Sequence, residues 1–301
     1  METAGGKLNG KAAAYVLFSG ILWGVINVFV INLDRYGFDS MQISLIRMFI
    51  AAVLFGLYLF IFDRDKLKID IKDIWMFALT GIVSVVIFNV MFFYVAVKGE
   101  SSIAVTLLNT APIFVMVISA IFFKEKITAK KIVALVVTIL GCFMVTGFLG
   151  GSYKAPFMIV LIGILSGFFY SLYSIFSKIA FKKYEIETVC FWTFVLAFIG
   201  SIPLGKPADL IEKVVANPVS IWYCLGIGII CTALPYFFFT WGLRRLDPSV
   251  AQVLACVEPL IGAVIGMVFY GDSTSFIKIL GIALILFALV LLNINFKKKS
   301  A

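Results

Sequence analysis

The sequence contains no histidine among its 301 residues. Histidine is the usual general base, proton relay and zinc ligand near neutral pH, so its absence excludes Ser-His triads, histidine-based relays and most zinc sites. Charged residues are also scarce, at 14% of the chain. Soluble domains carry about 25% charged residues. The composition therefore argues against an ordinary soluble domain.

The five cysteines share no CxxC spacing, and every one lies inside a hydrophobic run: Cys142, Cys190, Cys224, Cys231 and Cys256. Cysteine in such a place usually behaves as a small buried apolar side chain. We therefore expect neither a disulfide nor a metal site, and the sequence indicates no cofactor. The loops also lack a nucleotide-binding P-loop, which argues against ATP as the direct energy source.

Apolar residues make up 62% of the chain and are gathered in long runs. About 20 apolar residues in a helix cross the hydrocarbon layer of a bilayer. The sequence therefore predicts an all-α integral membrane protein with ten transmembrane helices, at 12–33, 40–62, 74–97, 102–123, 130–149, 157–179, 187–204, 219–242, 249–270 and 276–296.

The net charge of +9 is distributed unevenly between the predicted loops. Most Lys and Arg residues fall at the termini and in alternate loops, whereas the remaining loops hold only Arg35, Lys98, Lys154, Lys206, Lys213 and Lys278. Short cytoplasmic loops carry the excess of basic residues in membrane proteins. We therefore expect a plasma-membrane protein with both termini in the cytoplasm, and no nucleic-acid partner.

A shift of 147 residues lays the second half of the chain over the first. It carries Ser19-Gly20 onto Ser166-Gly167, Pro112 onto Pro259 and Lys131 onto Lys278. The sequence therefore predicts two five-helix repeats, over 12–149 and 157–296. Because five is odd, the second copy enters the membrane upside down, and inverted repeats are typical of secondary transporters.

These features together resemble the EamA-type transporters of the drug/metabolite transporter superfamily. The resemblance lies in the repeat order, in Ile46-Arg47-Met48-Phe49, in the prolines of the fourth and ninth runs, and in an acidic residue closing those runs, Glu125 and Asp272. It implies a central cavity framed by runs 1, 3, 4, 6, 8 and 9, and alternating access. It also implies small organic cargo such as amino acids, often exported.

Glu258 lies about nine residues into the ninth run, roughly 13 Å along the helix at 1.5 Å per residue. An ionisable group at that depth is a functional-site hypothesis by default. It could exchange a proton during transport or bind cargo, and the alternative is a structural carboxylate tied to a neighbouring helix. Its counterpart in the first repeat is Ala111, so the two halves differ chemically at the centre.

Arg47 lies roughly 10 Å inside the second run. Three roles are open: an ion pair with Glu258, a bidentate bond to a cargo carboxylate, or an arginine that snorkels outward.

Further polar and aromatic residues could complete a binding site with apolar walls. Trp23 and Asn27 correspond to Tyr170 and Ser174, Asn89 to Tyr236, and Asn109 to Cys256, with Gln252 one turn earlier. Each could instead serve interhelical packing. Conformational roles are expected for Pro112, Pro235 and Pro259, which interrupt helical hydrogen bonding.

Two sites outside the runs have simpler interpretations. Residues 205–218 form either a loop or a short interfacial helix, in which Asp209 would be the cap. Glu100 and Asp247 precede the fourth and ninth runs and are expected to be caps that compensate helix dipoles, with a role as gates as the alternative.

The function predicted from the sequence is a secondary transporter of small polar metabolites, not an enzyme. The alternatives left open are a passive facilitator or channel and a membrane-embedded enzyme. A monomer can be complete because both repeats lie in one chain, and a homodimer is compatible with the sequence.

Overall fold

The computed structural model describes residues 9–98, 101–148, 156–271 and 275–293, and all regular structure within these ranges is helical. We number the helical segments α1 (Gly10–Arg35), α2 (Ser40–Phe62), α3 (Ile71–Lys98), α4 (Ser101–Leu108 and Ala111–Phe123), α5 (Ala129–Val145), α6 (Phe157–Ala180), α7 (Ile186–Ser201), α8 (Pro207–Ala216), α9 (Ser220–Arg245), α10 (Pro248–Ala255 and Val257–Phe269) and α11 (Phe276–Asn293).

Seven of these segments are long and apolar enough to cross a bilayer: α1, α2, α3, α4, α6, α9 and α10. The predicted runs 5, 7 and 10 are also helical, as α5, α7 and α11, but the described helices have 17, 16 and 18 residues. The structure therefore agrees with the prediction of an all-helical membrane protein and gives fewer full-length spans than the ten expected.

The bundle has two ends, which we name by their residues. The basic face holds Lys131 with Asp247, Arg244 with Glu185, and Lys183 with Asp73. The mouth face holds Gln42 and Asp209 together with the paired hydroxyls of Thr106 and Thr146. Each contact joins segments that are distant in sequence, so the alternate loops predicted to be basic do meet at one end of the bundle.

α4 and α10 are interrupted at equivalent places. α4 breaks between Leu108 and Ala111, and α10 breaks at Cys256, which the 147-residue shift lays over Asn109. α3 and α9 also contain π-helical segments at overlapping repeat positions, Leu79–Val86 and Ile229–Ala233. The local irregularities of the backbone thus follow the sequence repeat.

Glycines allow the helices to approach these breaks closely. A Cβ on Gly20 would lie 2.8 Å from the carbonyl oxygen of Ala255, and one on Gly167 would lie 3.3 Å from that of Leu108, the repeat equivalent of Ala255. Both distances are below ordinary van der Waals contact. Gly20 and Gly167 are repeat equivalents, so the same backbone contact is built twice, between α1 and α10 and between α6 and α4.

α8 is a helix rather than a loop, but its start differs from the prediction. Asp209 is not its cap: the helix begins at Pro207 after Lys206, with no side-chain cap bond. Asp209 Oδ2 instead accepts a hydrogen bond from Nε2 of Gln42 at 2.6 Å and pairs with Lys213 at 2.8 Å. Gln42 also completes the capping box of α2 with Asp39. One glutamine therefore links the start of α2 to α8.

Candidate functional site

A cavity of about 580 Å³ lies among α1–α6 and α9–α11 and reaches the mouth face at Ser40, Ala96 and Lys278. Its walls are largely apolar, which suits a small organic ligand. Nine of the ten side chains predicted to bind or couple cargo line it: Trp23, Asn27, Arg47, Asn89, Asn109, Tyr170, Tyr236, Gln252 and Glu258. α2, α5 and α11 contribute lining residues in addition to the six predicted runs.

Arg47 is held by α9. Its Nε donates a hydrogen bond to Oγ1 of Thr232 at 2.9 Å, and both residues are buried. Thr232, within the π-helical segment, in turn donates to the carbonyl of Ile227, five residues earlier in α9. Arg47 also lines the cavity. Thr232 therefore fixes the guanidinium at its Nε edge, and the side chain forms part of the cavity wall.

Glu258 stands in the first turn after the break in α10 and lines the same cavity. Within the described residues it makes neither a hydrogen bond nor an ion pair with another side chain, and Arg47 bonds to Thr232 instead. The expected alternative of an Arg47–Glu258 ion pair is therefore absent from this conformation. The cavity presents an acidic and a basic group separately.

Aromatic rings form the inner wall. The ring centroids of Trp23 and Tyr236 are 5.2 Å apart, and those of Phe88 and Tyr170 are 5.1 Å apart. Tyr173 is buried behind Tyr236. Its hydroxyl forms a hydrogen bond with Oγ1 of Thr240 at 2.7 Å. These edge-on and tilted ring contacts join α1, α3, α6 and α9 around the cavity.

The amide side chains are bound in different ways. Asn89 and Asn109 each donate to the carbonyl four residues earlier, at 2.7 and 2.8 Å, so part of their bonding capacity is used within their own helices. Ser174 does not line the cavity; its hydroxyl donates to Oε1 of Gln252 at 3.1 Å. Ser174 therefore contacts Gln252 and not the cavity itself.

The three prolines are placed differently. Pro112 and Pro259 line the cavity just after the breaks in α4 and α10. Proline lacks the amide hydrogen that would continue the helix, so each agrees with a break at that point. Pro235 is buried, does not line the cavity, and lies two residues after the end of the π-helical segment of α9.

Several lining residues were not predicted from the sequence, among them Thr146, Phe88, Phe92 and Lys278. Thr232, which bonds to Arg47, was not predicted either. Its repeat equivalent is Val85, so the shift does not pair it with a polar residue. Lys278 did carry a signal, since it matches Lys131, but nothing in the sequence placed it near the cavity. Asp272 and Glu100, noted in the sequence, lie outside the described residues.

The model of the EamA-like transporter family matches this chain twice, over residues 10–147 and 157–294. A relative from Archaeoglobus fulgidus described as an uncharacterized transporter is 26% identical, with 92% of this chain and 93% of the relative covered. Bacillus subtilis YdfC, also described as an uncharacterized transporter, is 24% identical over 81% of this chain and 79% of its own length.

A solved crystal structure shares the fold, with a TM-score of 0.76 at 14% identity over 94% of this chain and 96% of that one. The two family matches together cover nearly the whole chain. The chain therefore belongs to the EamA-like transporter family and is a membrane transporter of the drug/metabolite transporter kind.

Proposed function

We propose that the protein is a secondary transporter of small polar organic metabolites that carry both a carboxylate and an amine, such as amino acids. The observation that carries this proposal is the separation of Arg47 and Glu258 within one cavity. A guanidinium binds a carboxylate through two parallel hydrogen bonds, and a carboxylate binds an ammonium group. A zwitterion placed between them satisfies both, while the aromatic wall covers its apolar part.

The proposed mechanism is alternating access by two inverted five-helix repeats, with all ten helical segments other than α8 crossing the bilayer. In the described conformation the cavity opens at the mouth face. The concentration of Lys and Arg at the basic face supports a cytoplasmic position for that face and for both termini in the plasma membrane. On this orientation the described conformation faces outward.

Net export and proton coupling are part of the proposal. Export rests on the family resemblance. Proton coupling rests on Glu258, the acidic side chain in the cavity wall, which can be neutralised when the cavity excludes water. A proton bound at Glu258 and an ammonium group of the cargo would compete for the same carboxylate, and this competition couples their movements.

The test begins with a thermal-shift screen of the purified protein against amino acids, the corresponding amines and nucleosides. A ligand that binds only the folded state raises the apparent melting temperature. Zwitterions should raise it, and amines that lack the carboxylate should not. Counterflow of a hit in liposomes at two pH values then measures transport.

The same liposomes separate the alternatives. A coupled carrier accumulates cargo above equilibrium, and an ionophore that dissipates the proton gradient abolishes the accumulation. A passive facilitator or channel equilibrates cargo and ignores the ionophore. A membrane-embedded enzyme would convert the cargo chemically, which mass spectrometry of the recovered solute would detect. Failure of every zwitterion to bind or exchange would refute the proposed cargo.

A further inference from the structure

The basic face carries a charged cluster that joins the two repeats. Nζ of Lys131, in the first turn of α5, lies 2.7 Å from Oε1 of Glu125 and 2.8 Å from Oδ2 of Asp247. Ser249 also donates to Glu125. Glu125 and Lys131 belong to the first repeat, whereas Asp247 and Ser249 belong to the second. One lysine therefore holds an acid from each half.

The cluster is largely removed from solvent on the first-repeat side. The side chains of Glu125 and Lys131 are 5% and 13% exposed, and that of Asp247 is 38% exposed. Water screens an exposed ion pair until it contributes little, but removing one partner from a buried group leaves an uncompensated charge. Loss of Lys131 would remove the ammonium that bridges the two carboxylates. Lys178 also interacts electrostatically with both acids, but its hydrogen bonds go to the carbonyls of Leu243 and Leu246.

The cluster lies over the contact between the two repeats at the basic face. Directly beneath it, Met116 of α4 packs with Val250 and Val253 of α10, and these side chains leave no space for a water molecule. The second half of α4 and the first half of α10 pack together here. The cavity therefore ends below the basic face, on the opposite side from the mouth.

The sequence repeat supplies an independent observation. The shift of 147 residues that carries Lys131 onto Lys278 also carries Ser102 onto Ser249. Lys278 lines the cavity at the mouth face. The bridging lysine thus stands at the closed end of the cavity and its repeat equivalent at the open end, which is the arrangement that two inverted copies would produce.

We propose that the Lys131–Glu125–Asp247 cluster is the closed gate of the transporter at the basic face, and that its separation opens the cavity to that side. The acids and the lysine are compensated by one another in the closed state and by water once the gap opens. The gate therefore has two stable arrangements. The inference rests on the proposed alternating access and adds the residues that control one of its two ends.

The experiment measures thiol modification in lipid nanodiscs, where both faces are open to N-ethylmaleimide, and uses a background in which the five native cysteines are replaced. Val253→Cys reports on the space beneath the gate, because Val253 is 2% exposed. Ala96→Cys reports on the mouth. We expect Lys131→Met to raise the modification rate of the Val253 reporter at least tenfold and to slow that of the Ala96 reporter.

Two variants keep this test decisive. The triple change Glu125→Gln, Lys131→Met and Asp247→Asn removes the repulsion between the acids, so the rate at the Val253 reporter should fall back toward that of the unaltered gate. Lys126→Met, an exposed lysine of the same loop, is the matched control and should change neither reporter. If Lys131→Met misfolds, both reporters should react equally. The triple variant and the single changes Glu125→Gln and Asp247→Asn then decide whether the cluster is a gate.

Unchanged reactivity of the Val253 reporter in Lys131→Met and in both single acid variants overturns the gate. Equal opening by Lys131→Met and by the triple variant also overturns it, because the cluster would then act only by packing. The labelling needs no cargo, so this result is separate from the proposed function. Counterflow without any change in labelling leaves the transporter proposal standing and removes the gate.

Discussion

Thr232 orients Arg47 from a neighbouring helix. Its hydroxyl accepts a hydrogen bond from Nε of Arg47 at 2.9 Å and donates one to the carbonyl of Ile227 at 2.9 Å. A hydroxyl has a single proton, and here the backbone carbonyl accepts it, so the oxygen is left as an acceptor for Arg47. The planar guanidinium is thereby held by one edge, and its two terminal nitrogens form the fork that binds a carboxylate.

Thr232→Val should weaken the binding of a carboxylate cargo by about tenfold or more. A hydrogen bond to a charged group contributes about 1.5–3 kcal/mol, and 1.4 kcal/mol corresponds to about a factor of ten. The measurement is the KM of counterflow or the Kd of a zwitterion. Thr232→Ser should retain affinity, and Thr80→Val, which breaks a buried Thr80–Thr193 bond outside the cavity, is the control for packing. Equal affinity in Thr232→Val and the unaltered protein would contradict the positioning role.

Glu258→Gln should abolish the pH dependence of transport and reduce accumulation of zwitterionic cargo to equilibration. Glutamine is similar in shape but cannot release a proton or carry a charge at any pH of the assay. The measurement is uptake at several pH values with and without an imposed proton gradient. Glu212→Gln, an exposed glutamate of α8, is the matched control and should behave like the unaltered protein. A pH profile that survives in Glu258→Gln assigns the proton to another group.

Gly20→Ala should destabilise the fold. A Cβ at this position would stand 2.5 Å from Cγ1 of Val257 and 2.8 Å from the carbonyl oxygen of Ala255, so α1 and α10 must separate. Forcing extra atoms into a packed contact costs about 1–3 kcal/mol. The thermal unfolding midpoint should fall. Gly10→Ala, where a Cβ meets no atom within 4 Å, should leave the midpoint unchanged. A midpoint that stays constant in Gly20→Ala would mean that the helix pair adapts without strain.

Docking of α8 should depend on the ionisation of Asp209. Hydrogen bonds from Lys213 and then from Gln42 lower the pKa of Asp209 from its ordinary value of 3.8. A lowered pKa means that the contact is fully present above pH 3.8 and is lost as the pH falls further, through the pKa of the docked state. A spin label at Ile211→Cys, on the exposed side of α8, should gain mobility below that pH.

Asp209→Asn should give the same mobility at neutral pH, because the amide no longer attracts Lys213. Glu212→Gln lies on the same helix and serves again as the control. A label that is equally immobile in Asp209→Asn at pH 7 would show that Leu210 and Val214, which pack on the end of the bundle, hold α8 without the charge.

The sequence located much of the candidate site because its residues belong to long apolar runs. Glu258 and Arg47 are conspicuous there, since a charge in such a run needs a reason. The aromatic and amide residues were found through repeat equivalence and polarity. The helical lengths were harder to predict, because hydropathy continues past the residue at which a helix ends. For the predicted run 187–204 the helix is Ile186–Ser201, followed by a turn.

Composition and the 147-residue shift by themselves determined that the chain is a helical membrane protein built from two copies, because apolar length and periodic identity are properties of the linear chain. Only the tertiary structure decided that Arg47 bonds to Thr232 rather than Glu258, that Ser174 donates to Gln252 instead of lining the cavity, and that Lys131 joins acids from both repeats. Except for the local Lys131–Glu125 pair, the partners are separated by 78 to 185 residues in the sequence. They depend on which helix faces turn toward each other, and helix rotation is set by packing that the order of residues does not state.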